Sequence, residues 1–206
     1  MRRRLALVLL LVALPLPAFA QSAVETARAA IARYHQDPAL IDRAREQLEA
    51  ELTRDRRVDT MILLSRVCFL AGEVRAPTTD EKIAAYDRGR EIGKRAVELA
   101  PTNADAHLWY AINTGRWGQT KGVLRSLFLL PTLREELDII FSLNPRSASA
   151  HTLAGNVFFE VPALLGGDRA KAEASYRKGL AIDPQDRKST RLNSSHIQKS
   201  RMPSSA

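Results

Sequence analysis

Few side chains in this sequence are of types that do chemistry, so their spacing decides what they could do. His107 and His151 could ligate a metal as neutral imidazoles, but no third ligand is evident near either. Cys68 could attack a substrate only as a thiolate. The adjacent Glu135 and Glu136, and Glu160, could trade protons, yet none has a visible partner to divide acid and base roles, and all three read as solvated helix faces. The stretch "GRWGQTKG" offers glycines and Lys121, but it lacks both the preceding strand and the spacing of a phosphate-binding loop and reads as a turn between helices. HExxH, GxSxG, the Walker-type GxxxxGK[ST] and paired CxxC are all missing from the sequence. The expectation is therefore a non-enzyme, with no catalytic residues, no cofactor and no metal.

The two ends of the chain account for most of its formal net charge of +8. "MRRRLALVLLLVALPLPAFAQS" has the basic start, short apolar run and small-residue Ala18-Phe19-Ala20 ending of a secretory signal peptide. The run is too short and too rich in proline to span a membrane comfortably. Residues 1–20 are expected to be removed before Gln21, which places the mature chain in the periplasm or outside the cell. No membrane anchor would then be left. At the other end, "DRKSTRLNSSHIQKSRMPSSA" back-translates over most of its length to a widely used short-read sequencing adapter, so residues 186–206 are expected to be a disordered scar and the native C-terminus to be missing. Between the ends, acidic and basic residues nearly balance, and the basic pI is no argument for a nucleic-acid partner. One cysteine permits no internal disulfide, so the fold must hold by packing.

Apolar residues recur at helical spacing almost throughout residues 21–185, and no run alternates as a half-buried strand would. The spacing predicts about eight helices, near 22–35, 38–56, 58–73, 80–100, 104–117, 121–143 with a break at Pro131, 147–160 and 168–183. Thr78 and Glu81 form a capping-box pattern, and Asp168 is a candidate N-cap.

The helices repeat. Pro101, Pro145 and Pro184 close successive units, and "ADAH" and "ASAH" open the helices after the first two. In register, Leu64-Val67-Cys68-Ala71, His107-Tyr110-Ala111-Thr114 and His151-Ala154-Gly155-Phe158 fall at i, i+3, i+4 and i+7, one buried stripe per helix. The third position is always small, as expected where a second helix crosses closely. His107 and His151 thus hold equivalent packing positions, and Cys68 reads as a buried structural thiol. Tyr110 falls on the core register; Trp109 and Trp117 are left unassigned. The apolar stretch "VLRSLFLL" reads as a satellite core element in preference to a membrane-binding patch.

Small residues at helix crossings and units closed by "SLNP" or "AIDP" resemble tetratricopeptide repeats. The spacing here, 44 residues from Pro101 to Pro145 and 39 on to Pro184, exceeds the usual length of about 34 and implies insertions at "GQTKGVLRSLFLLP" and "EVPALLGG". More closely, "HLWYAINTG", "KGVLRSLFLLPTLREELDIIFSLNP" and "FFEVPALLGGDRAKAEASYRKGLAIDP" resemble bacterial members of the regulator of microtubule dynamics family. A looser similarity is to the exported repeat component of tripartite periplasmic transporters. The resemblance implies an all-α fold of stacked antiparallel helical hairpins, a TPR-like α-solenoid with a concave inner face. Carried over in register, it places Asp105, Leu108, Ile112, Arg116, Thr152, Asn156 and Glu160 on that face. A scaffold binding a protein or peptide partner in the groove is the expected function, with a solute-binding accessory of a periplasmic transporter as the alternative.

Overall fold

The computed structural model describes residues 22–184; the leader and the segment from 186 to 206 lie outside the described residues. The described residues form eight α-helices: α1 (Ala23–Ala32), α2 (Ala39–Arg54), α3 (Val58–Leu70), α4 (Thr79–Leu99), α5 (Ala104–Lys121), α6 (Val123–Leu143), α7 (Ala148–Glu160) and α8 (Arg169–Ile182). Among these residues there is no strand. The fold is the all-helical, TPR-like stack of antiparallel hairpins that the periodicity and repeats predict, and local chemistry sets most helix starts. Thr78 and Glu81 exchange both bonds of the capping box, with Glu81 N–H to Thr78 Oγ1 at 3.3 Å and Thr78 N–H to Glu81 Oε2 at 3.0 Å. Asn103, Ser147 and Asp168 cap α5, α7 and α8 in the same way, each accepting a first-turn N–H.

Pro131 does not break α6, which runs uninterrupted from Val123 to Leu143. Proline removes one N–H from the helical ladder. Its ring lies on the exposed side, while Leu130, Leu133, Leu137 and Ile140 stay buried along the opposite face and hold the helix together across the gap. Between α5 and α6 the chain turns at Gly122, whose φ of 113° side chains with a Cβ rarely adopt. No atom stands within 4 Å of a Cβ added there, so backbone conformation alone calls for glycine.

Two apolar clusters form the core. One unites α1 to α4 around Ile41, Leu48, Leu64, Val67 and Ile92, with Ala106 of α5; the other joins α5, α6 and α7 around Ala111, Ile140 and Ala150. The Arg88 guanidinium forks onto both Glu49 oxygens, at 2.8 and 2.6 Å, and ties α4 to α2. Both partners are about one-third exposed, so this pair is worth about 0–1 kcal/mol and orients more than it stabilises.

Candidate binding groove

α3 ends in a π-helical turn, Ala71–Arg75, closed by an i to i−5 bond from Ala76 N–H to Ala71 carbonyl at 3.0 Å. The wider turn sets Gly72 under the ring of Tyr86, where an added Cβ would lie 2.7 Å from Cζ and 2.9 Å from Cδ1. The Tyr86 hydroxyl then donates to Glu73 Oε1 at 2.5 Å, and Arg116 of α5 donates to the same oxygen through Nε at 2.7 Å and through Nη2. Burial, and after it the Glu73 carboxylate, pushes the Tyr86 phenol well above its ordinary range. Burial is the largest single influence on Arg116 and works against its charge, but the Glu73 bond, the Glu73 charge and Tyr86 together outweigh it and hold the guanidinium above its usual value.

These groups line a cleft of about 220 Å³ with Lys82, Gln119 and Thr120. Glu73 compensates Arg116, whereas the Lys82 ammonium has no ion-pair partner among the described residues. The cleft thus presents one uncompensated positive charge beside amide and hydroxyl groups, a setting that accepts a carboxylate or a polar oxygen.

The residues expected on the concave face separate in the structure. Arg116 lines this cleft. Leu108 is 4% exposed in the second core cluster and Thr152 is 8% exposed, its hydroxyl donating to the Ala148 carbonyl at 3.2 Å. Both face the packed interior: Leu108 belongs to the second cluster, and the Thr152 hydroxyl lies 3.3 Å from where a Cβ on Gly179 of α8 would stand. Ile112 packs against the second cluster and is half-buried. Asp105 and Glu160 are exposed. Asn156 accepts a hydrogen bond from the Tyr176 hydroxyl at 2.8 Å, and burial followed by the Glu160 charge holds that phenol above its ordinary range.

Two seats are alike: Tyr86 over Gly72 with its hydroxyl on the next residue, Glu73, and Tyr176 over Gly155 with its hydroxyl on the next residue, Asn156. In the first of these the seat is therefore Gly72, in the π-helical turn after α3, one turn beyond the Cys68 that the sequence register aligns with Gly155. Cys68 is buried, and burial pushes its thiol up to about 12, which makes it an inert packing group.

The histidines do hold equivalent places. Nε2 of His107 meets the Pro101 carbonyl at 2.9 Å, and Nε2 of His151 meets the Pro145 carbonyl at 3.1 Å. A carbonyl only accepts, so each Nε2 carries a proton and is closed to a metal. Nδ1 of His107 is also engaged, 2.6 Å from Glu136 Oε2. Glu136 is not a solvated carboxylate: it is 8% exposed, and burial raises its carboxyl above the ordinary range although His107 pulls it down. The sequence hid this pair because its members stand on different helices. Glu135 is exposed, as expected.

A polar seam also escaped the sequence. Ser65 Oγ donates to the Gly89 carbonyl at 2.8 Å, and the fully buried Asn113 amide donates to the Ser65 carbonyl at 3.0 Å and the Trp109 carbonyl at 2.9 Å. The Asn113 side chain occupies the space that a residue larger than Gly89 would need. Glycines inside a helical pattern were the available signal. Trp109 packs on Phe69 at 5.9 Å between ring centroids. Trp117 lies under Arg90, Lys121 and Arg125, at 4.5, 5.7 and 5.6 Å from its ring centre.

Comparison with known proteins agrees with this architecture. The chain is 26% identical over 151 residues to regulator of microtubule dynamics protein 3 of Bos taurus, covering 73% of this chain and 32% of that protein. It is 28% identical over 100 residues to regulator of microtubule dynamics protein 2 of Homo sapiens, covering 48% of this chain and 24% of that one. It thus spans a third or less of the length of these relatives. Among solved structures, a thermophilic TPR protein of Thermus thermophilus superposes with a TM-score of 0.59 at 22% identity, covering 79% of this chain and 75% of that chain, and shares the fold. The sequence model for regulator of microtubule dynamics protein 1-3 matches residues 22–181, nearly everything the structure describes, and the chain belongs to that family.

Proposed function

We propose that this chain is an exported, non-enzymatic scaffold that holds a protein partner by seating an acidic side chain of an extended segment in the cleft among α3, α4 and α5. One observation carries the reading: the cleft pairs an uncompensated Lys82 with a volume of about 220 Å³. Small-molecule sites occupy about 300–1,000 Å³ and enclose most of their ligand. A space below that range, open to solvent and flanked by hydrogen-bonding groups, suits one side chain of a larger partner and disfavours the solute-binding alternative. Arg116 is already held by Glu73, so it costs little ordering on binding.

The TPR-like fold supports an interaction role, since such stacks present extended surfaces and not enclosed reaction chambers. The leader supports export to the periplasm or beyond. The microtubules that appear in the eukaryotic relatives' names form no part of this proposal.

A photocrosslinking residue at Gln119, compared with one at the exposed Gln47 of α2, tests the reading in cell-envelope material. The expected result is a discrete protein adduct from position 119 that Lys82→Glu abolishes and that position 47 does not give. Adducts of equal yield from both positions, or an adduct indifferent to Lys82→Glu, would refute it.

A further inference from the structure

The stretch expected to be satellite core is so only in part: Leu130 joins the second cluster, while the first turns of α6 carry apolar side chains into solvent. Val123, Leu124 and Phe128 are 73, 74 and 78% exposed. At about 100° per residue Leu124, Phe128 and the exposed Pro131 share one face of the helix, the buried Leu130 and Leu133 occupy the other, and Val123 is exposed at the first position of the helix. Large apolar side chains grouped on a surface mark a place where something else binds.

The charge around them identifies what. From Ala106 to Arg134 the sequence contains no Asp or Glu, yet it carries Arg116, Lys121, Arg125 and Arg134. Lys121 and Arg125 flank the apolar face and, with Arg90 of α4, crowd over the Trp117 ring. The acidic group known to touch this cluster is Asp87, paired with Arg90 at 2.6 Å. We infer that the corner formed by the end of α5 and the start of α6 docks on an anionic phospholipid surface, with Val123, Leu124 and Phe128 entering the acyl boundary while Lys121 and Arg125 meet lipid phosphates.

A second copy of the chain fits less well. A two-fold contact sets the same patch against itself, which would gather Lys121 and Arg125 of both copies into one interface with like charge. The chain's own apolar stretch from Leu5 to Leu16 is preceded by Arg2, Arg3 and Arg4 and would add positive charge to positive. An anionic bilayer satisfies both parts of the patch, as it does for amphipathic elements with basic flanks. Among the described residues no helix is long and apolar enough to cross a membrane, so the contact is made at the surface.

The test places a polarity-sensitive dye on Leu124→Cys in the full chain, with Gln47→Cys as the control. Cys68 is buried and does not compete for label in the folded protein. Vesicles of phosphatidylglycerol should shield the dye at position 124 from an aqueous quencher, vesicles of phosphatidylcholine should not, and the dye at position 47 should stay exposed with both. Lys121→Glu combined with Arg125→Glu should raise the lipid concentration needed for shielding at least tenfold while the protein still melts cooperatively, because both side chains are exposed and their loss removes only weak contacts with the Trp117 ring. Shielding is read at the labelled position, so binding of vesicles through the leader alone leaves the dye at 124 exposed and overturns the inference. Shielding without lipid also overturns it: a dependence on protein concentration assigns the patch to a second copy, and its absence assigns the patch to the chain's own terminus.

Discussion

The ring of Tyr176 rests on Gly155, so that a Cβ at position 155 would stand 2.6 Å from Cδ1 and 2.8 Å from Cζ. Non-bonded carbons settle at about 3.5–4.0 Å. Gly155→Leu should therefore lift Tyr176 off α7 and break its bond to Asn156, at a cost of about 1–3 kcal/mol. In a chain of this size each kcal/mol lowers the melting temperature by about 2–4 °C. Cys68→Ala, which removes a single sulfur atom from a buried position, should lower it much less. Thermal melts that show Gly155→Leu to be neutral would remove this seat from the packing scheme.

Asn113 makes a second check on how the units join. Asn113→Leu should cost about 1–3 kcal/mol, since the buried carbonyl of Ser65 loses a donor that water cannot replace. Combined with Ser65→Ala, the effect should fall short of the sum, because both residues belong to one hydrogen-bonded group. Additive losses in denaturant titrations would show that the two act separately.

His107 and Glu136 meet in the interior, and a buried pair is most damaging when only one partner is removed. His107→Ala should destabilise by about 3 kcal/mol or more and should be milder at acidic pH. The sign follows from Glu136, whose folded carboxyl lies above its ordinary range: the folded state keeps a proton that the unfolded state has lost, so stability falls as pH rises through that window. Unfolding of His107→Ala at a series of pH values measures this, and a loss independent of pH would contradict the assignment.

Cys68 should resist thiol reagents in the folded protein. Its pKa rises from 9.0 to about 12, chiefly through burial. Its contribution to stability is fully present below about pH 9 and is lost as pH rises from there toward 12. Labelling at about pH 8, below the ordinary thiol range, should be slow in native protein and immediate in denaturant; equal rates would place the thiol at the surface.

Much of the fold was legible because helical periodicity, caps and closing prolines are local signals. Thr78, Asn103, Ser147 and Asp168 act within four residues of themselves, so the sequence carries their meaning directly. Pro131 misled for the same reason: its local effect is to break a helix, and only the buried row from Leu130 to Ile140 shows why this one continues. The cleft was half legible. Arg116 could be placed by register, but Glu73 sits in a π-helical turn and Lys82 and Tyr86 come from the following helix, and the periodicity of single helices does not show that these three converge. The contact between His107 and Glu136, and that between Ser65 and Asn113, join residues far apart in sequence with no motif connecting them.

Where α4 meets α5, the array has almost no side chain between its backbones: a Cβ at Gly93 would lie 2.9 Å from the Cα of Tyr110, and Gly89 leaves room only for Asn113. With the bonds from Asn113 to Ser65 and from Arg116 to Glu73, that contact joins α5 to the helices before it. A methyl group at Gly93 should therefore force the backbone of α5 away from α4, because the atom it meets is a Cα that cannot swing aside. Gly93 thus fixes how closely two successive units approach from a position outside the cleft, and lineages that change this residue would be expected to present the surfaces on either side of it at a different angle.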